Sequence, residues 1–349
     1  MTVKEILRSR LHYHKLDKPE FKSPADMVRY FGAVQAQDFL GALWSVGQRV
    51  DSATEAIVEK ALNGGKIVRS WPMRGTLHFT APEDLRWMLD LLGERAIAKS
   101  VTYQRDAGLT PKDFAKSRAI FEKFLQGKTF ERTAVYELLE RKGIDTSNTR
   151  GLHIIGQMAR EKVICFGPRS GKQPTFVLFD EWIKKSKKLS GDQALGELTL
   201  RYFTSHGPAT VYDFAWWSGL TVTDAARGLD IAQSKLQKVD NYWMAPGALD
   251  INVKPNVTLL SAFDEFLVSY QDRSAAETEA ISKLKDVNSI FTSTVIVNGQ
   301  IAGTWKRSIT SKGVKVKIKP FEKLTKQAEA GIKRELNRYA KFIGLELIS

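Results

Sequence analysis

The strongest constraint on the fold of this chain is a recurring order: amphipathic helices, then two short β-rich runs able to close a hairpin. In the first pass, Val3–His14 places Ile6, Leu7 and Leu11 near one helical face. Ser23-Pro24 then opens a helix over Ala25–Phe31, which Gly32 ends. A helix over Ser52–Asn63 stops at Gly64-Gly65, and Ile67–Thr80 reads as two strands around Pro72 and Gly75, followed by a helix capped by Thr80 and Pro82. The second pass has helices from Thr110-Pro111 to about Gln126, over Thr129–Arg141 and over Asn148–Arg160. Lys162–Phe179 follows as two β-rich runs around a basic Gly/Pro loop. Beyond the Lys184–Lys188 linker come helices over Ala194–His206, Thr210–Ser218 and Thr223–Leu229, then strands near Leu236–Val239 and Tyr242–Met244. Helices closed by a two-stranded hairpin outline a winged helix, and passes roughly 60–100 residues apart suggest tandem modules without strict sequence repeats.

The last hundred residues change character. Val257–Leu260 and Val295–Trp305 are strand-like, and Asn298-Gly299 inside VIVNGQIAGTW is a strong hairpin-turn signal. Val314–Ile318 alternates Val or Ile with Lys, as a strand with one wet, positive face would. Leu324–Ile343 closes the chain as an amphipathic helix. The expectation is an α+β protein with modules over 1–108, 109–182 and 189–250, followed by a β-rich domain over 251–349 that carries the closing helix.

Charge narrows the class of partner. With 53 Lys and Arg against 39 Asp and Glu, the net charge is +14, and the excess is spread along the chain. The acid-free stretch holding Lys306, Arg307, Lys312, Lys315, Lys317 and Lys319 is its densest part after the lysine linker. Distributed positive charge suits a polyanion, because each neutralised phosphate releases counterions, and it equally suits a plain soluble basic protein. The single cysteine, Cys165, excludes an internal disulfide and any multi-cysteine metal site, and is expected as a small buried hydrophobe. No apolar run is long enough to span a membrane, and the start lacks the apolar core of a secretory signal, so a cytoplasmic protein is expected.

Standard catalytic signatures are scarce: there is no nucleophile elbow, zinc-protease motif, Walker loop or dinucleotide fingerprint. His12 and His14 are two apart on a helix and diverge, so no metal site is expected there. Asp264-Glu265 within SAFDEF could supply a metal ligand or general base, or a local cap or salt bridge. There remains Gln35-Ala36-Gln37, followed by Asp38. On an extended segment residues two apart face the same way, and paired carboxamides can hold a water or a polar base edge. Spacing alone equally allows ordinary surface or capping glutamines.

Four segments, FGAVQAQDFLGALWSVGQR, IVRSWPMRGTLHFTAPEDLRWML, HGPATVYDFAWWSGLT and LLSAFDEFLVSYQDR, together resemble the AlkZ/YcaQ family of bacterial DNA glycosylases. The likeness runs along nearly the whole chain in order. It implies three tandem winged helices and a C-terminal β-rich domain arranged as a C-shaped clamp. It also implies hydrolysis of the N-glycosidic bond of alkylated purines such as N7-alkylguanine, with unhooking of interstrand crosslinks in some members. The family's catalytic motif is Gln-apolar-Gln in one branch and Gln-apolar-Asp in the other. Gln35-Ala36-Gln37 resembles the first, with an unusually small middle residue, and Asp38 follows the motif instead of completing it.

The resemblance makes Gln35 and Gln37 the catalytic candidates, with Gln37 assigned to the nucleophilic water and Gln35 to orienting that water or the sugar. An alkylated N7 already carries positive charge, so the base leaves readily, and position and polarity at the anomeric carbon matter most. No lysine nucleophile is needed, so a monofunctional glycosylase without metal or cofactor is expected. Its partner would be double-stranded DNA, bound by a monomer. Candidate DNA contacts are Arg74, Lys172 in the second wing, Asn298-Gly299 at the hairpin turn, Lys306 and Arg307. Trp71, Trp216, Trp217 and Trp305 are expected in cores more than as stacking platforms. The competing reading is a non-catalytic winged-helix DNA-binding protein or transcriptional regulator. Such proteins usually pair one winged helix with a dimerisation element.

Overall fold

Several helix starts are dictated by side chains that satisfy the first free N–H groups. Thr2, Thr110 and Thr210 each close a capping box with the acid three residues on, Glu5, Asp113 and Asp213. Ser23 caps Pro24–Phe31, and Thr325 caps the last helix, Lys326–Ile343. The computed structural model describes residues 1–247, 253–254, 256–282 and 288–348. The protein is α+β, and its contacts divide it into two compact units: residues 1–59 with 196–349, and residues 60–195. The first stretch expected as one module, 1–108, therefore contributes to both units.

In the unit of residues 60–195, strands Val68–Met73 and Thr76–Thr80 form an antiparallel hairpin. The hairpin turns at Arg74-Gly75, both at positive φ. The following helix, Pro82–Asp106, is capped by Ala81 and not by Thr80 as expected. The Thr80 hydroxyl is instead turned 3.5 Å from the Val68 carbonyl within the hairpin. Then come helix Pro111–Phe124, strand Phe130–Glu131, helices Arg132–Arg141 and Arg150–Arg160, and strands Ile164–Phe166 and Thr175–Leu178. Thr175–Leu178 is the central strand of their three-stranded antiparallel sheet. Phe121, Leu139, Ile154, Met158, Ile164 and Phe176 pack between the helices and that sheet. Cys165 is fully buried, and burial raises its thiol pKa far above the ordinary range, consistent with a packing role.

The other unit opens with helices Val3–Tyr13 and Pro24–Phe31, strand Ala33–Gln35 and helix Phe39–Gly47. The last was not anticipated from the sequence. FLGALWSVG has almost no polar face, so no helical period shows in it. After the helix ending at His206 come helices Val211–Ser218 and Val222–Ala232 and the hairpin Gln237–Val239/Tyr242–Met244, with Ala209 bridged to Trp243. The chain then builds a five-stranded sheet in the order Leu347–Ile348, Gly313–Pro320, Gln300–Thr310, Thr294–Val297, Val257–Leu260. Ile6, Leu7 and Leu11 of the first helix share a core with Leu260, Ile296 and Ile301 of that sheet. Trp44 donates from its indole to the Leu259 carbonyl at 2.6 Å and packs edge-on to Tyr339 of the last helix.

An arginine–aspartate ion pair is wholly buried inside this unit. The Arg49 guanidinium meets the Asp264 carboxylate in a fork, at 2.9 and 2.7 Å, with both side chains wholly buried. Ser45, Gln48 and the Phe266 backbone N–H also donate to Asp264, so every carboxylate oxygen is satisfied. Desolvating two charges is costly and only such complete satisfaction offsets it. Replacing Arg49 by Met strands a buried carboxylate. Urea denaturation is expected to show a loss of about 3–5 kcal/mol, part of it recovered when Asp264→Asn is added.

Candidate active site

The Gln35-Ala36-Gln37 segment lies between two helices. Gly32, at φ +78°, ends Pro24–Phe31 and directs the chain into the Ala33–Gln35 strand. Asp38 then stands at the N-cap of Phe39–Gly47. Gln35 is buried, and its carboxamide folds back on its own chain. Its Oε1 accepts from the backbone N–H groups of Ala36 at 3.0 Å and Gln37 at 3.2 Å. Gln37 is exposed. The two glutamines are thus unequal: Gln35 fixes the backbone on which Gln37 is presented.

A second carboxylate anchors the segment from behind. Glu265 Oε1 accepts the Gln35 backbone N–H at 2.6 Å, and Oε2 accepts from the Trp217 indole at 3.0 Å and the Ser269 hydroxyl at 2.5 Å. His206 Nε2 lies 3.4 Å from the same oxygen. Glu265 is entirely buried and follows Asp264, so the two acids weighed in the sequence as one pair do separate work. Asp264 holds Arg49, and Glu265 holds the motif. Nearby, His14 donates to or accepts from the Tyr270 hydroxyl at 2.8 Å and packs edge-on to His206. Burial lowers both histidines below the ordinary range, and the charges of Arg49 and Arg10 lower His14 further.

Asp38, the residue after Gln37, borders a basic surface. Asp38, Phe291, Thr292, Ser293, Thr304, Trp305, Lys306, Arg307 and Lys319 line one cleft of about 620 Å³. Its wall is the ribbon of strands Gln300–Thr310 and Gly313–Pro320, whose register sets Thr304 opposite Lys319, Lys306 opposite Lys317 and Ser308 opposite Lys315. Alternation puts Lys306, Lys315, Lys317 and Lys319 on one face, and all four are exposed. Like charges directly opposite repel, so this face gains from a polyanion laid across it. Trp305 and Val314 are on the opposite, buried face. Arg307 is half-buried, its guanidinium donating to the Tyr339 hydroxyl at 2.8 Å.

The remaining candidates are scattered. Asn298-Gly299 does form the expected two-residue turn, at φ 53° and 90° between paired Val297 and Gln300. Gly299 is buried, and a Cβ there would come within 2.8 Å of Leu7, so this turn packs on the first helix. The Asn298 side chain accepts from the Asn256 backbone at 2.9 Å. Arg74 and Lys172 belong to the other unit. Arg74 sits at the tip of its hairpin, 3.2 Å from His78 Nε2, and Lys172 is exposed in the loop before Thr175–Leu178. Trp71, Trp217 and Trp305 are buried, whereas Trp216 is 42% exposed with its indole donating to the Val268 carbonyl. Sequence reasoning missed Glu265 as the anchor of Gln35, since the two are 230 positions apart and no local pattern links them.

The profile of the family described as DNA glycosylase AlkZ-like matches residues 28–342. The chain belongs to the AlkZ-like DNA glycosylase family. Over 326 residues, 87% of each chain, it is 22% identical to an interstrand DNA cross-link repair glycosylase of Streptomyces sahachiroi. The solved structure of Streptomyces sahachiroi DNA glycosylase AlkZ has the same fold, with a TM-score of 0.80, 20% identity and full coverage of both chains. In this AlkZ-like chain the glutamine motif, its carboxylate anchor and the basic cleft all lie within one unit.

Two outcomes are expected here. Glu265→Gln turns an amide N–H toward the Trp217 and Ser269 donors, and chemical denaturation should show a loss of about 1–3 kcal/mol. His14 and His206 have folded pKa values below their ordinary 6.5, so the unfolded chain binds protons more readily. Their contribution to stability is complete above that value and declines as pH falls below it. Melting temperature should drop between about pH 7 and about pH 5.5, and less steeply in His14→Phe.

Proposed function

We propose that this AlkZ-like chain is a monofunctional glycosylase, acting as a cytoplasmic monomer on double-stranded DNA that carries N7-alkylated purines, crosslinked purines among them. The observation that carries the reading is an exposed Gln37, its backbone held by a buried Gln35, directly before Asp38, which lines a cleft walled by Lys306, Arg307 and Lys319. The name of the Streptomyces sahachiroi relative, a cross-link repair glycosylase, supports the choice of lesion. Among the described residues no helix is long and apolar enough to cross a membrane.

The division of labour follows from the donors available. Lys306, Lys315, Lys317 and Lys319 bind backbone phosphates along the ribbon and set the register of the duplex. Gln37 holds the attacking water near the anomeric carbon by its carboxamide oxygen and N–H groups. Gln35 acts indirectly, by fixing the Ala36 and Gln37 amides. A base tied to both strands cannot rotate fully into a closed pocket, and an open cleft at the duplex surface accommodates it. The helix–strand–helix–helix–hairpin order over 111–178, and its shorter echo up to Met244, support winged-helix modules here. Arg74 and the Lys172 loop are then further backbone contacts.

The decisive assay incubates the protein with duplex DNA containing N7-methylguanine or a nitrogen-mustard crosslink and cleaves abasic sites with alkali. Gln37→Ala should lower single-turnover excision by about 100-fold or more, and Gln35→Ala should lower it too, with undamaged-DNA affinity retained. Turnover that survives both changes would sink the site assignment. Binding without release of any alkylated purine would leave a DNA-binding protein only. Separately, Lys306→Ala with Lys317→Ala should weaken binding across all sequences. The slope of log affinity against log salt should become shallower by about 2.

A further inference from the structure

Among the described residues, Asp38 is the one carboxylate lining the cleft walled by Lys306, Arg307 and Lys319. It is half-exposed and occupies the N-cap of Phe39–Gly47, yet its side chain makes no capping hydrogen bond. An aspartate in that position ordinarily accepts from the second or third N–H of the helix, a contact worth about 1 kcal/mol. No salt bridge to it occurs among the described residues either, despite three cations around the same cleft. The side chain has a seat of its own. A Cβ on Gly41 would come within 2.5 Å of Asp38 Oδ2 and 3.0 Å of the Ser261 Cβ, so the carboxylate lies over the bare Cα of Gly41. Ser261 is fixed in turn by its hydroxyl donating to the Gly41 carbonyl at 2.9 Å.

We propose that Asp38 is a further catalytic residue, the carboxylate that faces the sugar as it becomes cationic. The inference rests on the glycosylase reading above. Gln37 cannot hold a negative charge or take a proton at neutral pH, whereas the reaction needs both. When the C1′–N9 bond breaks, its electron pair leaves with the base and neutralises the positive charge of the alkylated ring. The sugar is left as an oxocarbenium-like cation, which the Asp38 carboxylate stabilises. The water oxygen held by Gln37 forms the new bond to C1′. Its surplus proton passes to Asp38 and then to solvent, leaving an abasic sugar and a neutral alkylguanine. The cations of the cleft hold phosphate and the one anion holds the sugar charge, so each end of the nucleotide meets the opposite sign.

The test separates charge from packing. Two duplexes carry, at one position, either a pyrrolidine abasic analogue, which is cationic where the sugar would be, or its neutral tetrahydrofuran counterpart. Wild type should bind the cationic duplex at least about 10-fold more tightly. Asp38→Asn should abolish that preference while keeping affinity for the neutral duplex within about twofold. Asp38→Asn should also slow excision of N7-methylguanine by about 100-fold. Gly41→Ala displaces the end of the Asp38 side chain and crowds the Ser261 Cβ, so it should lose the same preference with a modest fall in melting temperature. Unchanged preference and rate in Asp38→Asn, with wild type active, overturn this inference alone. A wild type that neither excises N7-methylguanine nor discriminates between the duplexes overturns the glycosylase reading with it.

Discussion

Two adjacent carboxylates inside the protein, Asp264 and Glu265, carry the arrangement on which the site depends. Burying one charge is costly and burying two in succession is feasible only if each is neutralised or solvated separately. The chain does so by sending them in different directions. Asp264 takes the Arg49 fork, with Ser45 and Gln48 as additional donors. Glu265 takes the Gln35 amide, the Trp217 indole and the Ser269 hydroxyl. The segment SAFDEF therefore ties the C-terminal sheet to the start of the chain at Gln35 and Arg49, and to Trp217 in between. Phe263 just before it sits at φ 62°, an uncommon conformation for a bulky residue, its N–H held by the Ile290 carbonyl.

That anchoring explains why a motif of two neutral side chains can be a catalytic candidate. A carboxamide is a weak acid and a weaker base, so its use lies in placement. Gln35 spends its oxygen on two consecutive backbone amides and, through its own N–H, is fixed to Glu265. The exposed Gln37 consequently projects from a backbone with little freedom. Position is supplied by buried polar contacts, and charge is supplied by the cleft that the next residue, Asp38, lines.

The basic ribbon shows a complementary economy. Period-two alternation in Val314–Ile318 is readable from the sequence, and the structure sets Lys317 opposite Lys306 and Lys315 opposite Ser308. The Asn298-Gly299 turn was also readable, because both residues tolerate positive φ, but its surroundings were not. Leu7 lies against Gly299, whereas Asn298 is exposed, so the two residues of the turn have different surroundings. Phe39–Gly47 leaves no periodic signal in the sequence, because periodicity reports a helix with one wet face and this one is buried almost throughout. Thr80 does not cap the next helix, because its hydroxyl turns to the hairpin and Ala81 stands at the N-cap.

By itself the sequence determined the elements whose cause is local: capping boxes at Thr2, Thr110 and Thr210, the hairpin at Asn298-Gly299, the amphipathic closing helix and the alternating lysine strand. Composition and charge gave a folded basic protein, and whole-chain resemblance pointed to the Gln35-Ala36-Gln37 motif. The tertiary structure alone decided what those residues face. It divided the contacts between 1–59 with 196–349 and 60–195, paired Glu265 with an amide 230 positions away, and set Asp38 among three cations from a distant ribbon. The reason is physical: caps, turns and alternation act over a few residues, whereas the pairing of buried charges depends on which distant segments meet when apolar surfaces are removed from water.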